Sequence, residues 1–156
     1  MKDSSTIKTY MERMDTERYE IVIGVVPGYH HNNEEEQVLT LKEVSEIFQE
    51  VTETIEPKVS GVANQVNVVY STNFGCPVGG EVCYQISCTR NPKFCESSDS
   101  YYCAVMEVVI QLKELFKQST VSVSKTKVEY HYIADTVVKT KVSNTMEIPY
   151  DEDILS

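Results

Sequence analysis

Five cysteines fall at positions 76, 83, 88, 95 and 103 of this 156-residue chain, all within one stretch of thirty-odd residues. Thiols so clustered could bind a metal, form disulfides, act as nucleophiles or fill a core. Structural zinc sites take two ligands from one tight turn, as in C-x2-C. Here the intervening runs are six, four, six and seven residues, so no metal site is expected. An odd count would leave one thiol over in any set of disulfides, and a reducing compartment disfavours them. Packing as small hydrophobes is the reading that asks least, with Cys88 sharing a strand face with Tyr84 and Ile86.

The other chemistry-bearing residues are the histidines. His30 and His31 follow Tyr29 in a polar loop rich in glutamate, while His131 stands alone far along the chain. Histidine titrates near neutral pH, so Tyr29, His30 and His31 form a candidate acid/base group. The chain carries no Gly-rich phosphate cradle, no G-x-S-x-G and no H-E-x-x-H, and no cofactor is expected. No motif is specific enough to point to a family.

The elements that must position these groups are legible from periodicity. Residues 1–17 are polar and read as a flexible arm or a short frayed helix. Tyr19 to Val26 is a β-branched apolar run, a strand buried on both faces. Thr40 and Glu43 form a capping box that opens a helix, with Leu41, Val44, Ile47, Phe48, Val51 and Ile55 on one stripe. Val62–Tyr70 and Glu81–Thr89 read as strands joined by a turn-rich connector, making a long hairpin. A second helix is expected from about Ser100 to Gln118, then a strand from Val121 to Ile133 that residues 136–142 extend or pair with. The order β, α, β, β, α, β predicts an α+β fold of the ferredoxin-like kind: an antiparallel sheet with two helices packed on one face. Residues 18–143 form its single domain, and 144–156 an acidic, disordered tail.

Charge and exposure suggest surfaces. The formal net charge of −10 argues against nucleic acid and anionic membrane as partners. Eight glutamates against one lysine give residues 34–56 a local net of −7, and Glu43, Glu46, Glu50 and Glu53 line the outer face of the first helix. A basic protein is a compatible partner for that stripe. The second helix is apolar on too many sides. At 100° per residue from Tyr101, the residues Cys103, Met106 and Ile110 lie at about 200°, 140° and 180°, opposite the main stripe. A helix apolar all round is buried all round, so a second copy of the chain is expected to cover this face. No signal-like or membrane-spanning run occurs, and the expected compartment is the cytoplasm.

These features favour a small acidic, self-associating binding protein without a catalytic centre of its own. The other reading is a small pocket enzyme using the Tyr29-His30-His31 loop as acid or base, with or without a cysteine.

Overall fold

The computed structural model describes residues 5–26 and 38–139. Strand β1 spans Ser5–Gly24, helix α1 Leu41–Glu53, strand β2 Val62–Val68, strand β3 Glu81–Thr89, helix α2 Ser98–Leu115 and strand β4 Ser122–Lys139. A short 3-10 turn, Thr72–Phe74, interrupts the connector between β2 and β3. The strands form a single sheet in the order β2-β3-β1-β4, so the antiparallel α+β architecture of ferredoxin-like type is present. No helix among the described residues is long and apolar enough to cross a membrane.

The chain divides into two compact units, one of residues 15–130 and one combining the chain's two ends. In the second, residues 5–14 of β1 and 131–139 of β4 make a ribbon, in which Thr9 Oγ1 donates to Asp135 Oδ1 at 2.8 Å and the rings of Tyr10 and Tyr132 meet edge-on. Residues 5–17, expected as an arm or frayed helix, are therefore extended strand. The 144–156 tail lies outside the described residues.

Within residues 15–130 the strand register separates two faces. Ile21 stands opposite Ile86 and Ile23 opposite Tyr84 on β3, while Ala63 and Gln65 of β2 continue those two rows. With Tyr19, Val25 and Cys88, the side chains of Ile21, Ile23, Tyr84 and Ile86 meet Val44, Val51 and Ile55 from the α1 side and Tyr101, Val105, Val108 and Leu112 of α2 in one buried core, against which Ala63 is partly buried. Side chains alternate across a strand, so Val22, Gly24, Val68, Glu81 and Cys83 fall on the face away from the helices.

The helix ends are set by local chemistry. Thr40 caps α1 as its sequence foretold: its side chain accepts from the Glu43 N–H at 3.1 Å and Glu43 returns the bond to the Thr40 N–H. At the start of α2, Ser97 accepts from the Ser100 N–H at 3.0 Å. The end of α2 is a Schellman motif in which Lys117 N–H donates to Glu114 O and Gln118 N–H to Lys113 O. Lys117 takes the left-handed position there, at φ 54°. Glycine is the usual occupant, since a Cβ at that φ costs about 1 kcal/mol. So the helix expected to reach Gln118 stops at Leu115, and Gln118 is turned off its end.

One buried ion pair anchors α2 to the sheet. The Arg90 guanidinium donates from Nε to Glu17 Oε2 at 2.6 Å and from Nη2 to Glu17 Oε1 at 3.1 Å. Its third nitrogen donates to the carbonyls of Cys95 and Glu96, and Ser98 Oγ adds a bond to Glu17 Oε2 at 3.0 Å. Both side chains are more than nine-tenths buried. The guanidinium's hydrogen bonds hold the Glu17 carboxyl below its ordinary value against the opposing effect of burial.

Arg90→Met leaves that carboxylate buried without its partner and is expected to destabilise the fold by about 3–5 kcal/mol, read from urea midpoints at neutral pH. Because the folded pKa of Glu17 is depressed, its contribution is full above the ordinary value of 4.5 and is lost as pH falls through the lower folded value. Glu17→Gln should therefore flatten the acid limb of stability below that pH. Lys117→Gly should raise stability by about 1 kcal/mol in the same measurement, by relieving the left-handed position.

Candidate functional site

On the face of the sheet away from the helices, a pocket of about 340 Å³ opens between β1, β2, β3 and the segment that leads into β4. Its floor is Val22, Gly24, Val68 and Cys83, its walls Tyr70, Phe74 and Glu81, and its far side Gln118 to Ser122. That volume is in the range of small-molecule sites. Among the described residues that line it, none is Lys, Arg or His.

Two residues flanking the β2–β3 connector meet inside it. Val68 pairs with Glu81 across the hairpin, which brings Tyr70 back over the first residue of β3. Tyr70 Oη donates to Glu81 Oε1 at 2.6 Å. The carboxylate's claim on that proton, with burial, lifts the Tyr70 phenol well above its ordinary range, so it stays a donor. The connector is tied down around the pair. Cys76 is buried, and its sulfur lies 3.5 Å from the Tyr70 N–H that it accepts. Asn67 Nδ2 donates to Gly79 O at 2.7 Å. A Cβ on Gly80, at φ +102°, would stand 2.6 Å from that Asn67 amide, so glycine is required twice over. Phe74, at the tip of the 3-10 turn, is 76% exposed and offers an open ring at the pocket wall.

Among the described residues, the candidates on α1 and α2 and His131 do not line this pocket. Tyr29, His30 and His31 lie outside the described residues. His131 is exposed and belongs to the ribbon unit. On α1, Glu43 is spent on the capping box and Glu46 pairs with Lys42 at 2.7 Å, while Glu50 and Glu53 are exposed. Cys103 and Ile110 on α2 are exposed and Met106 is half-buried. Cys88 is fully buried with Tyr84 and Ile86, and burial pushes its thiol up to about 12. Cys83, which does reach the pocket, is pushed up to about 11 by burial and by the charge of Glu81. It is a thiol at neutral pH and a poor nucleophile.

Tyr70, Glu81 and Gln118 were not singled out as a site by the sequence. They lie on separate elements, and only hairpin register and a helix-end motif bring them together.

A family model described as SAM lyase matches residues 14–134. Among curated proteins none matches. Two solved structures resemble the chain. A phage SAM lyase in complex with S-methyl-5′-thioadenosine is 19% identical with a TM-score of 0.49, covering 76% of this chain and 90% of that one. A phage SAM lyase in the apo state is 13% identical with a TM-score of 0.45, covering 83% and 94%. The family match corrects the expectation of a protein-binding molecule without a catalytic centre: acidic and apolar surfaces are visible in a sequence, whereas a pocket assembled from distant elements leaves no local motif. With more than half its length matched, the chain belongs to the SAM lyase family.

Proposed function

We propose that the chain is an enzyme that breaks a carbon–sulfur bond of S-adenosylmethionine in the Tyr70–Glu81 pocket, releasing S-methyl-5′-thioadenosine. The observation that carries this reading, beside family membership, is the electrostatic character of the pocket. It presents the Glu81 carboxylate, and among the described residues its lining carries no cationic side chain, which suits a substrate whose sulfur is a permanent cation. Phe74 supplies an aromatic face on which an adenine can stack.

A lyase needs no water at the reacting carbon. The substrate's own carboxylate can attack the carbon γ to it, forming a C–O bond as the C–S bond breaks. The electron pair goes to sulfur, the products are a neutral thioether and a lactone, and no proton moves. Such a reaction asks the protein for binding and orientation rather than for a titrating base. Glu81 provides counter-charge to the substrate, and Tyr70, held as a donor, fixes the rotamer of Glu81. Cys83, as a thiol, takes no part as a nucleophile.

We also propose that the chain self-associates through the outer face of α2. Cys103 and Ile110 are exposed there, Ile110 by 56%, and Tyr102 beside them by 49%, which favours cover by a second copy.

Incubation of the protein with S-adenosylmethionine, followed by chromatography and proton NMR, should yield the thioether and the lactone. Glu81→Gln is expected to lower kcat/KM by roughly 30-fold or more, corresponding to about 2 kcal/mol or above for a buried charge contact. Tyr70→Phe should cost about tenfold, the worth of one hydrogen bond to a carboxylate. An unchanged rate in Glu81→Gln, or homoserine formed directly in place of lactone, would sink this reading. Ile110→Glu should shift the chain to a smaller species in light scattering; identical masses for the two would remove the α2 interface.

A further inference from the structure

Cys76 is buried, yet it stands apart from the hydrophobic core that takes in Cys88. Its sulfur faces backbone instead. It accepts from the Tyr70 N–H at 3.5 Å and donates toward Val68 O at 3.9 Å. Strand β2 ends at Val68, whose pairing with Glu81 is the last of the β2–β3 register, so Tyr70 lies two residues beyond the ladder. The thiol therefore holds the chain where strand pairing has stopped, gripping it on both sides of Val69. The rest of the connector has ties of its own. Asn67 Nδ2 donates to Gly79 O at 2.7 Å, and Ser71 O accepts from the N–H groups of Phe74 and Cys76. These bonds close the connector independently of the thiol, so what the thiol adds is the placement of Tyr70.

Resting on the lyase reading above, we propose that Cys76 is a positioning residue, whose thiol bridges Val68 and Tyr70 and so sets the Tyr70 phenol against Glu81. Tyr70 Oη meets Glu81 Oε1 at 2.6 Å, and a hydrogen bond that short weakens with small displacements of the backbone that carries it. A thiol is donor and acceptor at once, the two roles these backbone groups demand, and it is apolar enough to be buried beside them. Each of its bonds is weak, so its effect falls on geometry more than on stability. Because Cys76 acts through Tyr70, its loss can cost no more by this route than the loss of the Tyr70 hydroxyl.

Two replacements separate positioning from packing. Valine keeps the apolar volume and makes neither bond, whereas serine makes both and is less apolar. Cys76→Val is expected to lower kcat/KM for S-adenosylmethionine about fivefold, within the roughly tenfold that the Tyr70 hydroxyl is worth, and Cys76→Ser by no more than about twofold. Added to Tyr70→Phe, Cys76→Val should change the rate by less than about 1.5-fold, since the two act on one interaction. A second readout needs no substrate. With tyrosines carbon-13 labelled at Cζ, and the Tyr70 signal assigned by its loss in Tyr70→Phe, the phenol should ionise closer to its ordinary value of 10.0 in Cys76→Val than in wild type or Cys76→Ser. A phenol unmoved by valine, equal activity in the two variants, or an undiminished effect of valine in the Tyr70→Phe background overturns the proposal. Wild-type protein without turnover, whose Tyr70 phenol still shifts with valine and not with serine, overturns the lyase reading and leaves the positioning role standing. Should Cys76→Val fail to fold, which a melting curve shows, Cys76→Ala takes its place in every comparison.

Discussion

The pairing of Glu17 with Arg90 is the constraint on which the placement of α2 depends. It joins the middle of β1 to the residue that follows β3, and through the Cys95 and Glu96 carbonyls and Ser98 it fixes where α2 begins. Replacing the pair with apolar residues of equal volume need not weaken the fold, since buried ion pairs repay little more than their desolvation. What such residues could not do is address three separate segments with a planar fork of donors. A helix fixed at its start delivers its end to a fixed place, and that end carries Gln118. A charge pair at one end of α2 thereby sets the geometry of a neutral amide at the other.

The protein's two faces divide labour accordingly. The face under the helices holds the apolar mass and the buried rings of Tyr19 and Tyr101. The opposite face holds acceptors. The formal charge of −10, concentrated in part on α1, adds a long-range field of the sign that draws in a cation. Thus the acidity that suggests a basic protein partner on first reading serves equally well for a small cationic substrate.

Much of the scaffold was legible because its signals are local. The capping box at Thr40 and Glu43 and the alternation of Val82, Tyr84, Ile86 and Cys88 on β3 each lie within a single element. The start of β1 was not legible as strand, because residues 7–13, mostly exposed on both faces, have no reason to alternate apolar with polar. The end of α2 was misplaced for an equally physical reason. A glycine would have announced the left-handed residue, and lysine occupies it instead. The site was the least legible part. Tyr70 and Glu81 meet through hairpin register, and Gln118 arrives from a helix terminus. Neither leaves a spacing that a motif could describe.

Strand β1 writes two messages on one tape. Its odd positions, Tyr19, Ile21 and Ile23, are core, and its even positions Val22 and Gly24 are pocket floor. In genetic terms the segment between Glu17 and Gly24 is intolerant of frame at the residue level. A single-codon insertion or deletion there exchanges the two messages, sending isoleucines into the pocket and opening the core beneath the helices. A two-codon change keeps the faces but slides Gly24 away from Gln118 and Glu81. Variation in this family's first strand should therefore run through substitution and not through length.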